Sequence, residues 1–235
     1  MRLNRRAGKI LRRQNNCSPE LAMADRDTKK IIKWSLLGFI SALVVANLVI
    51  GKREHRTPSA QPVLPEISTI HSFSLTNQFG ATITLEDLTG RPWLADIIFT
   101  RCPTVCPRMT QTLGELRATL PPTLRYVSLT TDPAHDTPAV MKAFAEAHGS
   151  NNTNWHFLTG TKADLMRLAI DDLKLISVPK EKGERDNPND LFVHSSLYIL
   201  VDAKGRVRKS FEHDATNLVQ QVKAALKQLE DESDR

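Results

Sequence analysis

The stretch WLADIIFTRCPTVCPRMTQTLGELRATL, residues 93–120, decides the fold class of this chain. Its first seven residues are apolar except for Asp96, which predicts a buried strand, and residues 109–120 have the apolar spacing of a helix. Cys102 and Cys106 lie between these two segments, and a proline follows each of them. A strand that runs directly into a helix is typical of an α/β sheet.

The same alternation continues along the chain. Strands are predicted at residues 71–75, 81–85, 124–130, 155–159, 193–202 and 206–211. Helices are predicted up to about Ala147 and Leu173, each capped by a threonine (Thr137 and Thr161), and over residues 216–230. We therefore expect an α/β fold in which a mixed sheet is flanked by helices on both faces.

An apolar segment precedes this domain. Residues 34–50, WSLLGFISALVVANLVI, contain no charged side chain, and they are long enough to cross a hydrocarbon core of about 30 Å. Residues 1–33 hold ten basic and three acidic side chains, a net charge of +7, so the rest of a chain whose total is +6 stands at −1. The sequence thus predicts a transmembrane helix at 34–50 behind a basic cytoplasmic tail at 1–33. A signal peptide cleaved after Ala46 is the alternative.

The charge distribution also limits partners and compartment. The basic charge belongs to the tail, so the domain offers no basic face for nucleic acid. Residues 51–66 are polar and proline-rich, which predicts a tether, and residues 67–231 form the domain. Positive-inside topology places that domain outside the cytoplasm, where close cysteines oxidise unless a metal or a reductant keeps them reduced. Cys17, in the tail, cannot be their partner.

Three interpretations of the cysteine pair stay open on these residues alone: a structural disulfide, a redox couple and half of a metal site. A disulfide closing so short a loop stabilises by only about 2–3 kcal/mol. A position in the first turn of a helix predicts that Cys106 is the cysteine prone to form a thiolate. Two thiolates favour a soft cation such as Cu(I), and an added imidazole would also suit Cu(II), whereas structural zinc needs a fourth ligand.

A histidine would complete such a site. His194 stands where the polar segment 176–190 enters an apolar strand, and the start of that strand can lie beside the cysteine loop. Segment 176–190 is either a solvated surface loop or a mobile flap or docking surface. The other histidines are expected at the surface or in satisfied core positions: His55, His71, His135, His148, His156 and His213.

At this point the chain resembles a known family. The segments FTRCPTVCP, TTDPAHDTPAVMKAFAEAHG, WHFLTGT and VHSSLYILVDAKGRV are similar to those of Sco/SenC proteins, from about Phe73 to the C-terminus. The resemblance implies a thioredoxin-like fold and one copper, Cu(I) or Cu(II), bound by Cys102, Cys106 and His194. It also implies delivery of copper to the dinuclear centre of cytochrome c oxidase subunit II, or maintenance of its thiols, together with other copper chaperones.

The resemblance further implies anchorage in a bacterial or mitochondrial inner membrane, with the domain in the periplasm or intermembrane space. Many members have Asp where this chain has Thr104, which puts partner docking or redox tuning in doubt. Asp132 and Asp136 of the second motif are explained by a turn and a helix cap. Asp96, inside an apolar strand, is expected to be hydrogen-bonded or to support the site.

Two rival functions use the same cysteines. In a thiol-disulfide oxidoreductase, Cys102 and Cys106 would be the redox-active pair, although redox relatives usually space the pair as CxxC. In a thiol peroxidase, Thr100 and Arg101 would have to hold one peroxidatic cysteine, and His194 would have no role.

Overall fold

The computed structural model describes residues 30–45, 63–150 and 153–234. Helix α1, residues 30–45, belongs to one compact unit, and the remaining described elements belong to a second. Residues 1–29 of the expected tail, which include Cys17, lie outside the described residues, as do residues 46–50 of the expected span and residues 51–62 of the expected tether with His55. Of the helices in the described ranges, none combines the length and hydropathy that crossing a membrane requires.

The second unit is built on a mixed sheet. Its described strands are β1 (Ser68–Thr69), β2 (Ser74–Asn77), β3 (Thr82–Thr84), β4 (Trp93–Ile98), β5 (Arg125–Thr130), β6 (Trp155–Thr159), β7 (Ser177–Pro179), β8 (Phe192–His194), β9 (Leu197–Val201) and β10 (Arg206–Glu212). Eight of them form one sheet in the order β1-β10-β9-β4-β5-β6-β2-β3, and β7 pairs with β8 in a separate small sheet. Strands β4, β5 and β6 are parallel, and the other pairings are antiparallel.

Helices cover both faces of the large sheet. They are α2 (Leu85–Leu88), α3 (Val105–Thr119), α4 (Pro138–Ala147), α5 (Lys162–Met166) and α6 (Leu218–Ser233), with a π-helical turn at Arg167–Asp172 and a 3-10 turn at Lys182–Glu184. Leu94 and Ile98 of β4 enter a core with α3, α4 and α6. Ala95 and Ile97 enter the opposite core, with α5 and the π-helical turn, because successive side chains of a strand alternate between faces. The mixed α/β sheet flanked by helices is confirmed.

Strand direction brings distant residues to one edge of the sheet. Strand β4 runs antiparallel to β9, with Ala95 opposite Ile199 and Trp93 opposite Val201. The end of β4 therefore lies at the same edge as the start of β9. The cysteine loop follows β4, and His194 lies three residues before the start of β9, so both are placed at this edge.

Several element boundaries differ from the sequence expectations. Helix α3 begins at Val105, so Cys106 is its second residue and Pro107 its third, a position where the missing N–H costs no helical bond. The expected strand 193–202 is interrupted, because β8 ends at His194 and β9 begins at Leu197. The expected surface loop 176–190 instead begins with β7, which pairs with β8. The sequence does not predict this short hairpin, because charged side chains, prolines and a glycine interrupt any strand pattern in this segment.

The last residues of the expected tether pack against the domain. Leu64 is 8% exposed, and its backbone amide donates a 2.8 Å hydrogen bond to Glu232 of α6. The buried guanidinium of Arg208 donates to the carbonyl oxygens of Leu64 and Pro65 and forms ion pairs with Asp202 and Glu232. Residues 64–66 thus belong structurally to the domain.

Candidate metal centre

The cysteine loop folds so that both sulfur atoms face the start of α3. The Cys102 amide donates to the Phe99 carbonyl at 3.1 Å, which turns the chain as it leaves β4. The Cys106 amide, in the first turn of α3, donates to Cys102 Sγ at 3.5 Å, and the Phe99 amide donates to Cys106 Sγ at 3.5 Å. Both cysteines are free thiols in this structure.

His194 reaches the same point from the end of β8. Its Nε2 lies 3.1 Å from Cys106 Sγ. Its Nδ1 donates to the Ser195 carbonyl at 3.0 Å, which leaves the Nε2 lone pair directed at the sulfur in the neutral ring. Within the described ranges, one group of at least three His, Cys, Asp or Glu side chains is placed to share a metal ion. It consists of Cys102, Cys106 and His194, whose donor atoms all lie within 4.8 Å of one another.

The two cysteines have opposite acidities. The hydrogen bond from Cys106 is the main cause that lowers the pKa of Cys102 to about 3, against the effect of burial, and His194 adds to it. Burial raises the pKa of Cys106 well above its usual range, and the neighbouring Cys102 adds to that rise. The expectation that Cys106 is the thiolate is therefore wrong. The first-turn amide of α3 points at Cys102 Sγ, whereas Cys106 is fully buried.

Aromatic rings enclose one side of the group. The Phe99 ring packs edge-on against the His194 ring, with centroids 5.8 Å apart, and against the Phe192 ring at 5.3 Å. The ammonium group of Lys162 lies 4.8 Å above the centre of the Phe192 ring. The sequence carries no signal for this arrangement, because these residues come from three separate elements.

Asp136 does more than complete a turn. Its buried carboxylate accepts hydrogen bonds from the Thr100 amide at 3.1 Å and from the hydroxyl groups of Thr100 and Thr130. The helix cap of α4 is Thr137 instead, whose hydroxyl accepts from the Val140 amide. Asp136 therefore ties the residue that precedes the cysteine loop to the end of β5.

Arg101 and Asp132 form an ion pair at the rim, with 2.6 Å between Nη2 and Oδ2. The Thr100 hydroxyl is likewise directed at Asp136. A thiol peroxidase would need Thr100 and Arg101 beside a cysteine. In this structure both side chains instead make their hydrogen bonds with carboxylates.

Asp96 is fully buried beneath the site. Both of its carboxylate oxygens lack a hydrogen-bond partner among the described residues. Burial raises the pKa of Asp96 to about 7, and the neighbouring Ser128 offsets only part of that rise. The sequence predicted that Asp96 would be hydrogen-bonded or would support the site. The first of these two alternatives is not observed in the described part of the chain.

The described histidines other than His194 have separate surroundings. His71 pairs with Asp172, His135 with Asp136, and the ring of His148 stacks on Phe144 while its Nδ1 donates to the Phe144 carbonyl. Asn77 contacts His156 at 3.4 Å, and His213 lies 4.0 Å from Asp214. In the ranges described, none of these rings belongs to the group of side chains placed to share a metal ion.

Fold and site together define a thioredoxin-like domain with a buried dithiol and an adjacent imidazole. A family model described as SCO1/SenC matches residues 63–229, which is well over half of the chain. The chain belongs to the SCO1/SenC family.

Curated relatives and solved structures agree with this assignment. The SCO1 protein homolog of Bacillus subtilis is 34% identical over 186 residues, which cover 77% of this chain and 88% of the relative. The structure of BsSco, described as a Sco-family cytochrome c oxidase assembly protein with a disulfide switch, is 31% identical; the match covers 72% of this chain and 98% of that one, with a TM-score of 0.61. Yeast Sco1 with copper bound is 25% identical, with coverages of 68% and 89% and a TM-score of 0.55.

Proposed function

We propose that this protein binds one copper ion through Cys102, Cys106 and His194. It would deliver that copper to the dinuclear copper centre of cytochrome c oxidase subunit II. The observation that carries the proposal is the 3.1 Å approach of His194 Nε2 to Cys106 Sγ, with all three donor atoms within 4.8 Å. A metal ion placed among three such donors would replace the contacts that they now make with one another.

The donor set favours copper over harder cations. Thiolate sulfur is a soft ligand that selects Cu(I), and an unprotonated imidazole nitrogen adds a donor that Cu(II) accepts. Structural zinc would need a fourth protein ligand, and the described residues supply three at this point. Copper-bound yeast Sco1, a relative of the same fold, supports this choice of metal.

Delivery requires that an incoming ligand reach the metal. Cys102 is 7% exposed and His194 is half-buried, whereas Cys106 is fully buried. A client thiolate would therefore approach from the side of Cys102 and His194, and Cys106 would be the last ligand to release the ion. Ligand exchange of this kind transfers the metal without setting it free in solution.

A second candidate function is reduction of a client disulfide. Both cysteines are free, and Cys102 has the lowered pKa of an attacking thiolate. Cys102 would form a mixed disulfide with one client sulfur and release the other as a thiolate. Attack by Cys106, after loss of its proton, would then release the second client thiol and leave a Cys102–Cys106 disulfide. BsSco, described as having a disulfide switch, favours keeping this candidate.

The cellular arrangement is also a proposal. Residues 34–50 would anchor the protein in a bacterial or mitochondrial inner membrane, with residues 1–33 inside. The domain, expected at residues 67–231 and extended by residues 64–66, would then stand in the periplasm or intermembrane space, joined to the anchor through the rest of the tether expected at residues 51–66. The support is the uncharged segment and the basic tail that precedes it.

Metal analysis of the purified full-length protein tests the binding proposal. The protein is reduced, loaded anaerobically with Cu(I) or with Cu(II), and compared with His194→Ala. We expect one equivalent of copper in the parent, a large loss of Cu(II) affinity in the variant and a smaller loss of Cu(I) affinity, because two thiolates still hold Cu(I).

His148→Ala is the matched control, because it removes an imidazole that lies on Phe144 instead. It should bind copper as the parent does. A reduced parent that took up no copper but reduced a client disulfide would replace the chaperone function with the reductase function.

A further inference from the structure

The hairpin formed by β7 and β8, residues 176–195, is hydrogen-bonded almost entirely to itself. Its ladder pairs Ser177 with His194, and Lys180 forms a 2.6 Å ion pair with Asp190 inside the hairpin. Among the described residues, His194 is the one residue of the hairpin that forms hydrogen bonds with the rest of the domain, and its partners are the two cysteines. Apolar packing must therefore hold the hairpin in place.

In the paired strands that packing lies on one face of the hairpin, and Leu191, just before β8, also packs against the core. Val178 and Val193, opposite each other in the ladder, point outward and are 53% and 55% exposed. The next residues of β8 on either side, Phe192 and His194, point toward the domain, because side chains alternate along a strand. The inner face thus carries the imidazole and an aromatic ring two residues away.

Phe192 makes the specific contacts of the inner face. Its ring meets Phe99 at a centroid distance of 5.3 Å and an interplanar angle of 72°, and it lies 4.8 Å beneath the Lys162 ammonium. Edge-to-face pairs and cation–π contacts both depend on an aromatic ring at this position. Phe99 also borders the His194 ring, so the same residue supports both ends of the inner face.

We propose that Phe192 is a positioning residue that holds His194 over the cysteine pair by docking the hairpin between Phe99 and Lys162. The ligand role of His194 in this proposal rests on the proposed function. With the hairpin docked, three donors face one point, and with it released, two thiols remain. For a metal that needs the imidazole, the apparent affinity is then proportional to the fraction of molecules in which the hairpin is docked.

The first test needs no metal. In the reduced, metal-free full-length protein, the rate at which iodoacetamide alkylates Cys102 and Cys106 measures how often the hairpin leaves them. We expect Phe192→Ala to raise this rate about tenfold, as the loss of an aromatic pair and a cation–π contact implies. Val193→Ala, the adjacent outward-facing residue, should leave it unchanged. Phe192→Leu, which keeps apolar volume, should raise it by less.

The second test asks whether Phe192 acts through His194. Phe192→Ala should weaken Cu(II) binding about tenfold and Cu(I) binding by less than about threefold, because Cu(I) is held by the thiolates. In the double variant with His194→Ala, the Phe192 substitution should cause no further loss of Cu(II) affinity. Fully additive losses would contradict the proposal.

The outcomes separate the two proposals. Equal alkylation rates in Phe192→Ala and Val193→Ala would overturn the role of Phe192 and leave the copper function standing. A parent that binds no copper would overturn the copper function, whereas the alkylation test of hairpin docking would still decide whether Phe192 holds the hairpin.

Discussion

The backbone amide of Thr100 donates a 3.1 Å hydrogen bond to the buried carboxylate of Asp136, thirty-six residues further along the chain. This bond joins the residue that precedes the cysteine loop to the turn after β5. The hydroxyl groups of Thr100 and Thr130 add two more bonds to the same carboxylate. The loop therefore receives its position from a side chain outside the metal site.

Asp136→Ala should destabilise the protein by about 3 kcal/mol, because it removes the acceptor of three donors: the buried Thr130 hydroxyl and the partly buried amide and hydroxyl of Thr100. Asp132→Ala is the control, since its partner Arg101 is 38% exposed, and it should cost less than about 1 kcal/mol. Urea unfolding followed by circular dichroism measures both. Equal losses in the two variants would show that Asp136 is merely a turn residue.

Asp96 should make the stability fall as the pH rises. Its pKa is raised from 3.8 to about 7, so between these values the folded state holds a proton that the unfolded state has lost. The destabilisation grows through this window to about 4 kcal/mol and is constant above it. Asp96→Asn removes the titration, so the variant should gain stability over the parent from pH 4 to pH 7.

Unfolding curves of the parent and of Asp96→Asn at several pH values provide the measurement. The related substitution Asp164→Asn is the control, because that carboxylate, on α5, is only half-buried and accepts a hydrogen bond from the Thr161 hydroxyl. A stability difference between the parent and Asp96→Asn that did not change with pH would contradict the raised pKa.

Arg208 should be among the most sensitive positions of the domain. Its guanidinium is 2% exposed and pairs with Asp202 and Glu232 while it holds the chain at Leu64. Arg208→Met should cost about 3–5 kcal/mol at neutral pH, because it takes a buried cation away from Asp202 and Glu232 and a donor away from the Leu64 carbonyl. Arg206→Ala, whose side chain is 26% exposed, should cost about 1 kcal/mol.

The cost of Arg208→Met should shrink in acid. Burial opposes ionisation of Asp202 and Glu232, but the hydrogen bonds from arginine side chains outweigh the effect of burial. The pKa of Asp202 is therefore below its usual 3.8, and the pKa of Glu232 is below its usual 4.5. Their stabilising contribution is complete above those values and is lost as the pH falls through the lower folded values. Unfolding at pH 7 and near pH 3 measures this, and an equal deficit at both would contradict it.

Most strands were predictable from the sequence because their apolar runs are bounded by turn residues. Strand β4 reads as six buried residues, and Thr137 and Thr161 cap their helices as expected. The hairpin at 176–195 was missed, since its strands are only three residues long and lie among charged side chains. Short strands of that composition carry no periodic signal.

The site was only partly predictable. Motif spacing identified Cys102 and Cys106, and the family resemblance pointed to His194. Their proximity, however, depends on the antiparallel pairing of β4 with β9, which no local pattern encodes. The acidity of the cysteines was misjudged because burial of Cys106 is a tertiary property. The role of Phe192 could not be predicted either, because its partners Phe99 and Lys162 come from other parts of the chain.

X-ray absorption at the copper K-edge, measured on the loaded full-length protein, tests the central claim most directly. The account predicts two sulfur ligands and one imidazole nitrogen on Cu(II), with the imidazole signal lost in His194→Ala and retained in His148→Ala. A copper ion surrounded only by nitrogen and oxygen, or an unchanged spectrum in His194→Ala, would contradict it.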